Sequence, residues 1–349
     1  MAEAEVLAET PHPRATSDLI GHQEAEKTLL AAWASARMPH AWLIAGPRGI
    51  GKSTLAYRFA RFVLSGGGGG SLFGGPPDSL NVASSDPVFR RIAAGGHADL
   101  ITLAPGMIHP DTGKETQEIV VAQVREAIEF LLKTSAEGGW RVLVVDEAEA
   151  MNRNAANALL KVLEEPPKNC LILLVSHSPG QLLPTIRSRC RLLVLRTLDD
   201  AQVAKLLETH RPEIDAGDRN ALVGLAQGSI GRAIELADRG GVELATALNA
   251  LLDELPALNV GDAHTLADQV GRAGDDAAAS FRVILELLDD WIARRLRSRP
   301  ENAKAWFDAA ERVRRLGTAT DGLNLDRRLA LLVALFAMQR AATNSALAR

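Results

Sequence analysis

Apolar residues recur along this chain in two rhythms, and the switch between them divides it. Five short runs are apolar at nearly every position: WLIAG (Trp42–Gly46), DLITLAP (Asp99–Pro105), RVLVV, LILLV and RLLVL. A strand exposed on one face alternates apolar with polar. Fully apolar runs instead predict strands buried on both faces, hence a parallel sheet covered by helices. Before and between them the spacing turns helical, over Gln23–Arg37, from Lys52 to about Leu64, and over Val121–Lys133. Leu159, Leu160 and Leu163 form another helical face, which Glu165-Pro166-Pro167 ends, because proline disfavours helical geometry in the residue before it. MIHPDTGKETQEI predicts a hairpin with Asp111-Thr112-Gly113 at its turn. After about Thr197 the strand pattern stops. Residues 199–238 predict three short helices, and the pattern from about Val242 to Leu347 is helical throughout.

These patterns predict an α/β domain at 17–197 with a five-stranded parallel sheet, a small helical domain at 198–240 and an all-α domain at 241–349. Residues 1–16 are expected to be a flexible polar tail. Residues 65–79, SGGGGGSLFGGPPDS, predict a loop, since glycine has no side chain to bury and proline cannot sustain a ladder. A length of 349 residues agrees with more than one core.

Composition adds exclusions. Apolar residues make up 47% and charged residues 23%, an ordinary globular balance. The formal charge of −4 gives no global basic footprint, so any nucleic-acid contact is expected to be local or shared with partners. Cys170 and Cys190 are the only cysteines, too few for a disulfide scaffold or a four-cysteine zinc site. No signal-peptide pattern and no membrane-length apolar run is found, so a soluble cytoplasmic protein is expected. His97 has no ligand-spaced cysteine or histidine and reads as a loop histidine. The arginines of WIARRLRSR and ERVRRL lie among Glu286, Asp289, Asp290, Glu301 and Asp308, which favours a solvated face or subunit contact over nucleic-acid binding.

The chemistry begins at GPRGIGKS, Gly46 to Ser53, which fits G-x-x-x-x-G-K-[ST] with a strand before it and a helix after it. Gly46, Gly49 and Gly51 let backbone N–H groups turn onto phosphate oxygens, and the helix N-terminus adds its positive dipole. Lys52 is expected to reach the outer phosphates and Ser53 to ligate Mg²⁺, with Thr54 on the same turn. A bare glycine turn, or a loop that no longer binds well, remains the alternative. Asp146, closing RVLVV, is placed to hold the Mg²⁺ shell, and Glu147 to polarise an attacking water. Ser176, at the end of LILLV, is the candidate for positioning that water, with His177 as second choice. Simple strand-end capping would explain either residue. Arg189 follows a proline-bounded turn and precedes the last apolar run. Alone it reads as a surface arginine paired with a carboxylate; within Ser188-Arg189-Cys190 it reads as an arginine presented to a phosphate at an edge.

GPRGIGKST, RVLVVDEAEAM, NALLKVLEEPP, LLPTIRSRC and GSIGRAIEL, in this order, resemble the bacterial clamp-loader subunits of the AAA+ class, over roughly residues 17–240. IGHQ, Ile20 to Gln23, is similar to the adenine-side motif of that class. LEEPP and SRC argue against a branch-migration helicase or a small-molecule kinase. The resemblance implies an AAA+ α/β domain, a helical lid, and a helical collar that joins a pentameric ring with gamma/tau motor subunits and a delta subunit. It further implies ATP and Mg²⁺ as cofactors, and a sliding clamp and primed DNA as partners of the assembled ring. Arg189 then acts in trans on a neighbour's ATP, with Glu147 at the catalytic glutamate position. The chain length favours the stator type over the gamma/tau motor type, and no polymerase constellation is present.

Two departures matter. The stretch where many relatives carry a four-cysteine zinc module has no cysteine, so no zinc is expected. The lid arginine of the motor subunits follows G-S-x-R; here Gly231 takes that place and Arg232 comes one residue later, turned by about 100° on a helix. The phosphate loop is intact, so nucleotide binding with weak or absent turnover is the expectation, and an ATP-hydrolysing motor is the alternative.

Overall fold

The computed structural model describes residues 11–35, 38–67, 77–108, 113–272, 277–298, 303–323 and 325–347. Two compact units emerge: residues up to Asp215 together with Ala226–Arg232, and Ala216–Leu225 together with residues from Ala233 onward.

The first unit is built on β1 (Ala41–Ala45), β2 (Leu100–Leu103), β3 (Arg141–Val145), β4 (Cys170–Ser176) and β5 (Arg191–Val194). They form one sheet in the order β2-β3-β4-β1-β5, with every neighbouring pair parallel. Its helices are α1 (Gln23–Ala34), α2 (Lys52–Leu64), α3 (Pro87–Ala93), α4 (Val121–Leu132), α5 (Arg153–Glu164), α6 (Pro184–Arg187) and α7 (Asp200–His210).

The three central strands β1, β3 and β4 are buried along their whole length because the sheet is covered twice, while the edge strand β2 is half-buried except at Leu103. Trp42, Ile44, Val142, Val144, Leu171 and Leu173 pack under α1–α3. Ala41, Leu43, Leu143, Val145, Ile172 and Leu174 pack under α4–α6. The expectation that RLLVL is buried on both faces is corrected. β5 is an edge strand: Leu193 is buried, but Leu192 and Val194 are 56% and 61% exposed. Its outer residues fall outside the α4–α6 core, so only one face is covered.

Local chemistry sets the helix ends. Asn152 caps α5 by accepting the Ala155 N–H at 3.0 Å, and the helix stops before Pro166. α3 is an element the sequence pattern did not suggest. Asp86 accepts the Val88 N–H at 2.7 Å with Pro87 in the first turn, a capping pair that was readable as a helix start. Residues 13–15 of the expected tail form a 3-10 turn. The buried Arg61 donates to the Arg14 and Thr16 carbonyls at 2.9 and 2.7 Å. The flanks of the expected hairpin pair through an antiparallel bridge between Ile108 and Glu115. Its turn residues Asp111 and Thr112, and residues 68–76 of the glycine-rich loop, lie outside the described residues.

Beyond α7 the chain is helical: α8 (Ala216–Ala226), α9 (Ile230–Asp238), α10 (Gly241–Asp253), α11 (Val260–Arg272), α12 (Ala277–Ser298), α13 (Ala303–Leu323) and α14 (Arg327–Leu347). Leu266, Ile284, Leu288, Trp306 and Leu335 are buried in the second unit. Its arginines are drawn onto neighbours: the Arg295 guanidinium lies 5.6 Å from the Trp291 ring, and Arg314 pairs with Asp289 at 3.1 Å. Among the described residues, no helix is long and apolar enough to cross a membrane.

Candidate functional site

Because β1 lies between β4 and β5, and β4 lies between β1 and β3, three chain segments leave the sheet at adjacent carboxyl ends. This is the crevice where open α/β sheets bind ligands. Gly46 leaves β1 with its N–H donating to the Ser176 carbonyl at 3.3 Å, while the Leu195 N–H donates to the Ala45 carbonyl at 2.7 Å. The loop ends at Gly51, whose φ of +99° is a backbone state that favours glycine, and α2 starts at once with Lys52. Its first N–H groups have no helical partner and face the loop.

Lys52 is 6% exposed, and its Nζ donates to the Pro47 carbonyl at 2.5 Å. Burial draws its pKa below the usual lysine value, while the carboxylates of Asp146, Glu149 and Glu147 oppose that shift. The Ser53 hydroxyl donates to Asp146 Oδ1 at 2.9 Å, and the Glu147 N–H donates to the same oxygen at 3.1 Å. Thr54 follows on the first turn of α2, half-buried. Glu147 has φ +49°, a left-handed backbone rare for a side chain this long. Its Oε1 lies 3.8 Å from Arg48 Nη2, a loose and solvated pair.

Glu149 belongs to this cluster, although the sequence reading did not single it out. Its side chain is 7% exposed and Oε1 accepts the His177 N–H at 2.8 Å, the Ser178 N–H at 3.0 Å and His177 Nδ1 at 2.8 Å. Burial alone would raise its pKa; its own backbone N–H, the His177 N–H, the Ser176 hydroxyl and the His177 ring outweigh burial and hold it below the usual carboxylate value. Ser176 is fully buried, and its Oγ accepts the Ser178 N–H at 3.2 Å. Both water-positioning candidates, Ser176 and His177, are therefore tied into the turn after β4. The only signal for Glu149 was a third acid close behind Asp146-Glu147; its partners come from another strand.

IGHQ lies against the loop as well. His22 Nε2 is hydrogen-bonded to the Ile50 carbonyl at 2.7 Å. Ser229 and Gly231 touch the loop's outer side, with Ser229 Oγ donating to the Arg48 carbonyl at 2.8 Å and the Gly231 N–H to the Gly49 carbonyl at 2.9 Å. Arg232 follows, its N–H donating to Ser229 Oγ at 3.2 Å. Arg189 stands apart from this cluster. It sits between α6 and β5 and donates to the Thr185 carbonyl at 3.0 Å, and its Nη2 pairs with Glu164 Oε1 at 2.6 Å. Cys190 beside it, like Cys170, is buried enough that its thiol is pushed up to about 12, so neither is a thiolate near neutral pH. His97 is a buried loop residue whose Nδ1 accepts the Asp99 N–H at 3.1 Å.

The donor set fits a magnesium-bound polyphosphate. Ser53 and Asp146 offer two hard oxygens 2.9 Å apart beside the Lys52 ammonium, at a helix N-terminus.

Residues 21–199 match the family model described as DNA polymerase III, delta subunit. That stretch carries the phosphate loop, the acidic residues, the β4 end and Arg189. The chain is 40% identical over 155 residues to DNA polymerase III subunit delta' of Pseudomonas aeruginosa, covering 44% of this chain and 42% of that protein. It is 36% identical over 164 residues to subunit delta' of Escherichia coli, covering 47% and 44%. It is also 29% identical over 243 residues to subunit tau of Escherichia coli, covering 67% and 34%. The matched stretch spans less than half the length of each of these relatives. The family match covers more than half of this chain and contains its whole phosphate-loop cluster, and the chain belongs to the DNA polymerase III delta subunit family.

Proposed function

We propose that the chain is a delta-prime-like subunit of the DNA polymerase III clamp loader. In this reading it binds magnesium ATP in the phosphate-loop cluster and lends Arg189 to the ATP site of a neighbouring gamma/tau subunit. Its partners are those motor subunits and a delta subunit in a ring, which loads a sliding clamp on primed DNA.

The observation that carries the reading is the placement of Arg189. Its partners are Thr185, Ser188 and Glu164, none of them part of the chain's own phosphate loop. An arginine held at a surface turn by an exposed carboxylate can exchange that partner for a phosphate on another subunit.

Within the chain's own site, bound magnesium ATP supplies a phosphoanhydride and a cation that neutralises charge on it. Lys52, whose side chain is buried, would meet the outer phosphates, and Ser53 and Asp146 would hold the cation. Glu147 would take the proton of an attacking water.

The test is ATP hydrolysis by the reconstituted complex in the presence of DNA and clamp, with native chain against Arg189→Ala. An arginine finger contributes about 10³–10⁵ in rate at its own site. With one site of several affected, the total rate falls by less. A clear fall with assembly intact supports the trans role, and an unchanged rate sinks it. The second reading, a motor subunit hydrolysing its own ATP, draws on the association of Lys52, Ser53 and Asp146. Turnover by this chain that Lys52→Ala abolishes would favour it.

A further inference from the structure

The inner side of the phosphate loop faces the crevice, but its outer side is held by a segment far along the chain. Ser229 is 6% exposed and its hydroxyl bonds in two directions. It accepts the Arg232 N–H at 3.2 Å, capping α9, and donates to the Arg48 carbonyl at 2.8 Å. Two residues on, the Gly231 N–H donates to the Gly49 carbonyl at 2.9 Å. The approach is backbone against backbone. A Cβ on Gly231 would lie 2.8 Å from Gly49 Cα, and one on Gly49 would lie 2.5 Å from Ser229 Oγ and 3.0 Å from Gly231 Cα. Gly49 also has φ +72°, so glycine is required there on both counts.

In a planar trans peptide the C=O and the following N–H point in opposite directions. Fixing the Arg48 carbonyl toward Ser229 therefore turns the Gly49 N–H the other way. Fixing the Gly49 carbonyl toward Gly231 does the same for the Ile50 N–H. Both amides belong to the glycine loop whose N–H groups cradle phosphate.

We propose that Ser229 and Gly231 are positioning residues that brace the phosphate loop, aiming the Gly49 and Ile50 N–H groups at phosphate before nucleotide arrives. The proposal rests on the nucleotide-binding reading above. It explains why Gly231 stands where the G-S-x-R pattern places an arginine: a side chain there would push into Gly49. The site exchanges a cationic side chain for a preorganised backbone, and preorganisation raises affinity by removing the ordering cost of binding. Gly231→Arg should accordingly weaken nucleotide binding instead of adding a phosphate contact.

The test uses the full chain with Ser229→Ala and Gly231→Ala, and reads two quantities. The first is the ¹⁵N order parameter of the Gly49 and Ile50 amides without nucleotide, which reports fast backbone motion. The second is affinity for magnesium ADP. Lower order parameters at both amides are expected in each variant, with binding weaker by about two- to tenfold, the range of one lost hydrogen bond. Ser229→Ala also uncaps α9, whereas Gly231→Ala leaves that cap intact. Changes confined to α9 amides, with Gly49, Ile50 and affinity unmoved, would overturn the proposal. Should Gly231→Ala fail to fold, Ser229→Ala decides alone. If the native chain binds no magnesium ADP while the variants still loosen both amides, the brace stands and the nucleotide reading falls.

Discussion

Asp99 ties down the chain that leads into β3 through one buried carboxylate. It is 1% exposed and accepts the Ser135 hydroxyl at 2.9 Å and the Ala136 and Glu137 N–H groups at 2.8 and 3.1 Å. Arg141 Nη2 lies 3.6 Å away. Burial would raise its pKa; the three hydrogen bonds and Arg141 outweigh burial and hold it below the ordinary aspartate value of 3.8. A folded pKa below the unfolded one means stability that is present above the unfolded value and is lost as pH falls through the folded one. Asp99→Ala is expected to cost about 1.5–3 kcal/mol at pH 7, the range for hydrogen bonds to a charged group. In chemical denaturation at a series of pH values, the gap to the native chain should narrow below about pH 4. A gap that stays constant down to pH 2 would rule out the ionised carboxylate as its source. Neither Asp99 nor Glu149 stood out in the sequence, because a carboxylate's value depends on donors supplied by distant segments. Lys52, Ser53 and Asp146 did stand out, because a spaced motif with a strand before it identifies the loop locally.

At the scale of elements, β5 separates what an apolar run predicts from what a position in the sheet allows. RLLVL reads like the other four runs, yet like β2 it lies at an edge, and of its residues only Leu193 and Leu195 reach the core under α1–α3. Leu193→Ala should destabilise the first unit by about 2–5 kcal/mol, as core truncations do. Leu192→Thr, on the uncovered face of the same strand, should stay within about 0.5 kcal/mol. Equilibrium unfolding in denaturant measures both. Similar costs at the two positions would mean that the outer face of β5 is covered in the isolated chain. Helix starts were legible from apolar spacing and not from caps: α2 at Lys52 and α4 at Val121 begin where the pattern placed them, although neither Gly51 nor Val120 caps its helix with a side chain.

At the scale of the whole molecule, a ligand that binds the folded chain alone raises its stability by mass action. Magnesium ADP at about 100 times its dissociation constant should add about 2.7 kcal/mol. The shift should be lost in Lys52→Ala, since that ammonium is bonded to the loop's own backbone. Thermal unfolding with and without nucleotide checks this, and a chain of two compact units can show two transitions. A shift carried only by the transition of the first unit is the expected pattern. An equal shift in Lys52→Ala would place the binding elsewhere.

The sequence by itself determined the parallel α/β character, the helical remainder, the phosphate loop and the acidic strand end. Each is written in residues close together, as a period of burial or as a motif whose spacing its chemistry requires. Only the tertiary structure decided that β5 is an edge, that Glu149 seizes the turn after β4, and that Arg61 pins residues 14–16. It also decided that Ser229 and Gly231 close on the phosphate loop. Edge position, burial of a charge and the close approach of two glycines depend on segments that are distant in sequence and adjacent only when folded. Periodicity records a residue's local neighbours and not which distant backbone will lie against it.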